Sequence, residues 1–256
     1  DAVPTERTVS FSLTEPSTLD QLCAEETSDI VGDFPANDRV FVKCTQRPFA
    51  KGGNKLAYRA RRIDISFWTG EKVTETVLKE SGRSSRSHNC KEKFAEFVAP
   101  QRAALFFSSA YNKIRPADSP LIEFAPMQLL QFLARPDRPY FIEETFISGE
   151  WERYNNNTGY CAPFPTPLGT DHRAVQAFSH WTHHVSGGRL MITDCQGCFN
   201  DARNVFELSD PAVHSVSLLA YGGTNMGKKG FERYFKTHRC NDVCRAMVLP
   251  NMETEA

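Results

Sequence analysis

Short apolar runs alternate with polar ones through the middle of this chain. Val40-Phe41-Val42-Lys43 alternates as a half-buried strand does. Residues 48–55 contain Gly52 and Gly53 and read as a turn, with a second strand at residues 56–65. Residues 74–79, rich in Val and Thr, predict a third strand. After the polar loop at residues 84–87, a helical pattern runs from about residue 90 to 113, with a break expected at Pro100. Residues 121–133 read as strand then helix, and residues 139–147 as a strand. Residues 150–167 are loop-rich, residues 171–184 predict a helix, and residues 189–194 a buried strand ending in an acid. A glycine-rich loop follows at residues 222–230, and residues 231–235 open a short helix. Strands come first and mixed helix and strand follow, so the fold class is α+β. Two lobes fit that order: an antiparallel sheet carrying one helix, then a mixed lobe, with the boundary near residues 143–149. Ligands favour the cleft between such lobes.

Residues 1–38 change the picture at the front. They hold nine acids against one base, Arg7, with Pro4, Pro16 and Pro35 among them. This is a polar acidic extension rather than core, and regular structure is expected to begin at Val40. Residues 251–256 form a tail. With 30 basic and 31 acidic side chains, the chain has no bulk field for nucleic acid or an anionic membrane. No apolar run approaches the roughly 20 residues that span a bilayer, so membrane insertion is excluded. Eight cysteines are an even count, which in a small secreted protein suggests disulfides, but in 256 residues they are sparse. They read as free thiols plus a metal site in a reducing, cytoplasmic setting. The first residue is Asp1, which suits a domain fused to others in a longer protein.

The candidate chemistry lies mostly in the second half. His238, Cys240 and Cys244 can reach one ion, and zinc closes a structural site with four such ligands. The fourth must come from elsewhere, with His172, His180, His183 and His184 as candidates. Asp194 and Gln196 leave a strand end toward the same side, ahead of Gly197, which lets the backbone turn sharply or approach a phosphate. Both are hard-cation ligands, although a strand ending in a turn reads the same way. Asp210 follows sixteen residues later in Ser209-Asp210-Pro211, a turn or a second magnesium ligand. Gly52-Gly53 is either an ordinary hairpin or an approach to phosphates, and Lys79 either a solvated strand lysine or a phosphate contact. Gly222-Gly223-Thr224-Asn225-x-Gly227-x-x-Gly230 is not placed as a dinucleotide loop must be. As a flexible loop it can hold a peptide.

Together these pieces resemble the alpha-kinases, the atypical protein kinases that include myosin-heavy-chain, elongation-factor and channel-fused kinases. The resemblance covers about residues 40–250. It is carried by Phe49-Ala-Lys-Gly-Gly53, Val77-Leu-Lys79, Gln101-x-x-Ala104 to Tyr111-Asn112, and Glu144-Thr-Phe-Ile-Ser-Gly149. Tyr154-Asn-Asn-Asn157, Gln176-Ala-Phe-Ser-His180, Gly187-Gly-Arg-Leu190 and Asp194-x-Gln-Gly197 continue it. Asp210-Pro-x-x-His214-Ser215, Thr224-Asn-x-Gly-x-x-Gly230 and Thr237-His-x-Cys-Asn-x-x-Cys244 complete it, in the family's order.

The resemblance implies a two-lobed, protein-kinase-like fold over residues 39–250, with the first lobe at about 39–143 and a zinc-stapled second lobe at about 144–250. It implies an ATP-dependent kinase that phosphorylates Ser or Thr in a protein substrate. Lys79 then grips ATP phosphates near Gly52 and Gly53, and Glu144 meets the adenine. Asp194 is the catalytic aspartate, and Gln196 and Asp210 hold Mg2+. His180, His238, Cys240 and Cys244 bind Zn2+. Gly222, Gly223, Asn225, Gly227 and Gly230 shape the peptide groove. Lys79→Ala is then expected to remove a phosphate contact and leave the fold intact.

There are departures from the family's pattern. Residues 198–207 lengthen the link between the two metal-site motifs, Ser209 replaces a usual Thr, Lys51 stands where an acid is common, and Cys195 where Leu or Ile is usual. None removes a catalytic group. The alternatives are an inactive pseudokinase serving as a zinc-stabilised binding module, a zinc-stapled nucleic-acid module disfavoured by the charge, and a purely structural zinc domain.

Overall fold

The computed structural model describes residues 5–11, 18–24, 36–52, 55–66, 70–82, 89–137 and 139–252. The expected polar loop at 84–87, most of the tail, and Gly53 lie outside the described residues. In chain order the elements are β1 (Thr5–Phe11), α1 (Leu19–Ala24), β2 (Ala36–Cys44), β3 (Ala50–Lys51), β4 (Lys55–Ser66), β5 (Gly70–Ser81) and α2 (Lys91–Ile114). Then come β6 (Leu121–Phe124), β7 (Met127–Phe132), β8 (Tyr140–Thr145), β9 (Glu152–Arg153), α3 (Arg173–Val185), β10 (Leu190–Thr193) and β11 (Gln196–Asn200). β12 (Val205–Ser209), β13 (Ala212–Ser215), α4 (Lys228–Thr237) and α5 (Asp242–Ala246) complete the chain. The chain divides into two compact units. One holds residues 1–14, 30–98 and 126–146; the other holds residues 15–29, 99–125 and 147–256.

The first unit is a seven-stranded sheet in the order β2-β1-β7-β8-β5-β4-β3, in which β2 also pairs with β4. Every pairing in it is antiparallel. One face buries Val42, Ala60, Leu78, Leu130, Phe132 and Phe141 as a core. The other packs Leu129 and Ile142 against Phe94 and Val98 of α2. The period-two alternation of these strands separates the two sets.

Among the described residues regular structure is present from Thr5, not first at Val40: β1 lies between β2 and β7. Its Thr-Glu-Arg-Thr-Val-Ser-Phe sequence lacks apolar alternation, yet Thr8 is fully buried and its backbone is paired on both sides. Residues 121–133 form two strands, not a strand and a helix. A short apolar run is ambiguous by periodicity, and β6 and β7 are each captured by a neighbouring sheet. The helix is continuous through Pro100, because the residues around it are buried and their packing offsets the hydrogen bond that proline removes.

In the second unit, β6-β12-β11-β9 form one sheet and β10-β13 a separate pair. Tyr111 of α2 meets Phe178 and Trp181 of α3 edge-on, with centroids 5.3 and 5.4 Å away. Met191 of β10 packs with Phe231, Tyr234 and Phe235 of α4. Helix α4 starts at Lys228, so Gly230 belongs to the helix and not to the loop before it. α1 opens with a capping box that the sequence carried in Thr18-x-x-Gln21: each side chain bonds the other's backbone N–H at 3.2 Å.

Candidate active site and metal centre

Two strand registers place the acidic corners of the second unit opposite each other. Thr193 of β10 pairs with Ala212 of β13, and Gln196 of β11 pairs with Ser209 of β12. The corner Asp194-Cys195 therefore runs opposite the corner Asp210-Pro211. Asp194 and Asp210 both sit in the left-handed region, at φ 57° and 53°. Each costs an L-residue roughly 1 kcal/mol or more, strain that clusters at functional sites.

The residues lengthening this link, 198–207, form no irregular loop. They make a hairpin that closes through a 3-10 turn at Asp201–Arg203 and leaves the Gln196–Ser209 pair intact. Gly197 is needed for that hairpin: a Cβ there would lie 2.0 Å from the Glu207 carbonyl oxygen.

Asn155, fully buried, fixes the corner from beneath. Its side-chain oxygen accepts the Cys195 N–H at 3.0 Å, and its amide donates to the Ser179 hydroxyl at 3.0 Å. Arg153 lies directly across from Gln196 on β9. One arm of its guanidinium donates to the Asp194 carboxylate and the other to Gln196 Oε1 at 2.7 Å. Asp194 and Gln196 thus do point to one side. Arg153 and Asn155 were missed in the sequence. They flank Tyr154 at the head of an amide run, a visible signal without an evident partner until the strands are paired.

In the first unit, Lys79 and Glu144 form a buried ion pair, Nζ to Oε1 at 2.8 Å. Lys79 lies opposite Ile142 across β5 and β8, and Glu144 opposite Val77, so the two share one face of the sheet. The carboxylate of Glu144, the residue expected at the adenine, is engaged by Lys79. Gly52 closes the β3–β4 turn with its N–H on the Lys55 carbonyl at 2.9 Å.

Ligand atoms of His180, His238, Cys240 and Cys244 lie within 4.8 Å of one another. Cys240 Sγ is 3.8 Å from His180 Nδ1, and Cys244 Sγ is 3.7 Å from His238 Nε2. An N–S edge of a tetrahedral zinc site is roughly 3.6 Å, from the usual bond lengths. The Tyr234 hydroxyl donates to the Gln176 carbonyl at 2.7 Å and faces His238 Nδ1 at 3.3 Å. Its one proton is used, so Nδ1 must donate to it, leaving the Nε2 lone pair free toward the cysteines. Burial lowers His180 to about 4 and His238 to about 3, which keeps both imidazoles neutral. Burial also pushes the Cys244 thiol up to about 12, so a metal ion would have to displace its proton. The donor set and the tautomer both suit zinc. His172 hydrogen-bonds the Pro163 carbonyl, and His183 packs on Phe231 and Phe235.

The glycine loop is ordered by its own contacts. Gly222–Thr224 is a 3-10 turn, and Asn225 accepts from the N–H groups of Ser215 and Gly227 at 2.9 Å each. Seven cysteines, including Cys240 and Cys244, are free thiols among the described residues. Among the described residues no helix is long and apolar enough to cross a membrane.

Residues 50–244 match the alpha-kinase family. The chain is 32% identical over 212 residues to the alpha-protein kinase vwkA of Dictyostelium discoideum, covering 82% of this chain and 32% of that protein. It is 27% identical over 220 residues to human eukaryotic elongation factor 2 kinase, covering 83% and 27% respectively. It therefore spans about a third or less of these relatives. Among solved structures it is similar to an alpha kinase from Entamoeba histolytica, with a TM-score of 0.74, 24% identity, and 99% and 94% of the two chains covered. The alpha-kinase domain of myosin heavy chain kinase A, solved in complex with ADP, has a TM-score of 0.71 at 21% identity, covering 96% and 98%. This chain belongs to the alpha-kinase family of atypical protein kinases.

Proposed function

We propose that residues 39–250, with β1, are the catalytic domain of a kinase that moves the γ-phosphate of ATP to a Ser or Thr hydroxyl of a protein. The observation that carries this reading is the pair of left-handed acids, Asp194 and Asp210, on facing corners in a member of this family.

Phosphoryl transfer needs position and charge neutralisation more than covalent chemistry. Asp194 orients the acceptor hydroxyl and takes its proton as the oxygen attacks phosphorus. Arg153 holds the Asp194 and Gln196 oxygens in place beforehand. Gln196 and Asp210 are hard oxygen donors suited to Mg2+, which when bound neutralises charge on the phosphates. Lys79 supplies a second cation to the phosphates, and Glu144 keeps its amine oriented. The loop at residues 222–227 receives the acceptor peptide. His180, His238, Cys240 and Cys244 would hold Zn2+ and staple α3, the end of α4 and α5 together. A cytosolic setting suits free thiols and a zinc site of this kind.

The alternative is a binding module without turnover. It is favoured by Arg153, whose guanidinium already sits on the Asp194 carboxylate that would take the proton and on the Gln196 oxygen that a metal ion needs. Transfer of labelled phosphate from ATP to a generic basic protein, with Mg2+ and with Asp194→Ala as control, decides between them. Incorporation that the variant lacks supports the kinase. ATP binding without incorporation supports the module.

A further inference from the structure

The loop before α4 is tied down at every turn. His214 Nδ1 accepts the Met226 N–H at 3.1 Å, so its proton is on Nε2, which donates to the Asn157 carbonyl at 3.0 Å. The Asn157 side chain donates to the Thr224 carbonyl at 3.1 Å. Asn225 donates to the carbonyls of Ser217 and Ala220, at 2.8 and 3.0 Å, besides accepting from Ser215 and Gly227. Three segments are thereby joined: the amide run after Arg153, the end of β13 after Asp210, and the loop.

The glycines divide accordingly. A Cβ on Gly230 would lie 2.3 Å from the His214 ring, and one on Gly227 would lie 2.8 Å from Leu218. Those two make room for the lock itself. Gly223 has nothing of the chain within 4 Å of a Cβ, and with Thr224 it is exposed. The lock presents this open edge outward.

We infer that His214, Asn157 and Asn225 are positioning residues that hold the 222–227 loop in one shape, so that a protein acceptor meets a preformed edge at Gly223-Thr224 rather than a mobile loop. This rests on the kinase reading given above. The hydrogen bonds of the three residues run to the loop and to each other's segments, and they act through the loop. His214 stays neutral because burial lowers it to about 4.

The test pairs kinetics with amide exchange. Asn157→Ala and His214→Ala should raise KM for the protein acceptor roughly 10-fold or more, the scale expected when a substrate-positioning element shifts by an ångström. KM for ATP and kcat should stay within about twofold, marking lost acceptor binding alone. His214→Asn keeps an acceptor for the Met226 N–H and should recover part of the loss. Exchange at the Met226 and Gly227 amides should quicken in Asn157→Ala and His214→Ala. If KM for ATP rises in step with KM for the acceptor, or if exchange is unchanged, the inference fails. Should His214→Ala not fold, Asn157→Ala decides alone, because its half-buried side chain makes a single bond to the loop. Should the wild type phosphorylate nothing, the kinase reading fails, while exchange at the two amides still decides whether these residues lock the loop.

Discussion

Lys79 and Glu144 stand 65 residues apart in sequence and meet at 2.8 Å, with only 9% and 3% of their side chains exposed. Each is the other's compensation for leaving water. The role expected for Lys79 alone, a phosphate contact removable without cost to the fold, does not survive this contact.

Lys79→Ala should therefore abolish ATP-dependent activity and also destabilise the protein. Removing one partner of a buried pair strands a charge, at a cost of about 3 kcal/mol. Lys79→Met with Glu144→Gln should regain most of that stability and none of the activity. Urea unfolding of the two single variants and the double variant measures the first effect, and phosphate transfer the second.

Asp194→Ala and Asp210→Ala should each lower turnover at least ~100-fold, the low end for a positioned acid–base or charge-stabilising group. Asp194→Asn should be as inactive yet keep its melting temperature, because asparagine tolerates the left-handed backbone at this corner. An Asp210→Ala enzyme with undiminished turnover would refute the shared metal site.

Native protein should carry about one zinc per chain, readable by elemental analysis. Cys240→Ser, His238→Ala or a strong chelator should lower the melting temperature, since binding free energy at such a site is folding free energy. Zinc-free native protein of unchanged stability would contradict the assignment.

Acid should weaken the fold through His214. Its folded value of about 4 lies below the ordinary ~6.5 of an unfolded histidine, mainly through burial; the bond to the Asn157 carbonyl offsets part of this, and Arg233 adds to it. The unfolded chain thus binds the proton first. The stabilisation is complete above about pH 6.5 and is lost as pH falls toward 4, the loss amounting to about 2 kcal/mol at pH 5. Wild type compared with His214→Asn, by denaturant titration across this window, should show the smaller pH slope in the variant.

The motifs that define the site were readable because their chemistry is local: His238, Cys240 and Cys244 within one short stretch, and Asp194 beside Gln196. What was not readable depends on partners far along the chain. Arg153 is one basic residue in a loop-rich stretch until β9 pairs with β11. β1 is polar at most positions, and only its two neighbours make it a central strand. The apolar run at residues 127–132 has no period that separates strand from helix, and β8 decides it. Gly197, Gly227 and Gly230 carried a true signal of special backbone or close approach, and each has a neighbouring residue where a Cβ would stand.

The hairpin of β11 and β12 has an open end. Asn200 caps its turn by accepting the Arg203 N–H at 3.2 Å, and Asn204 supplies the left-handed residue that closes it. The four residues at its tip are exposed. The full β11–β12 ladder, from Asn200–Val205 to Gln196–Ser209, separates the tip from the corners beyond it. This is a site of permitted growth. Related chains can differ in length there, and an epitope or reporter can be spliced in between Asp201 and Asn204, while both aspartates keep their places.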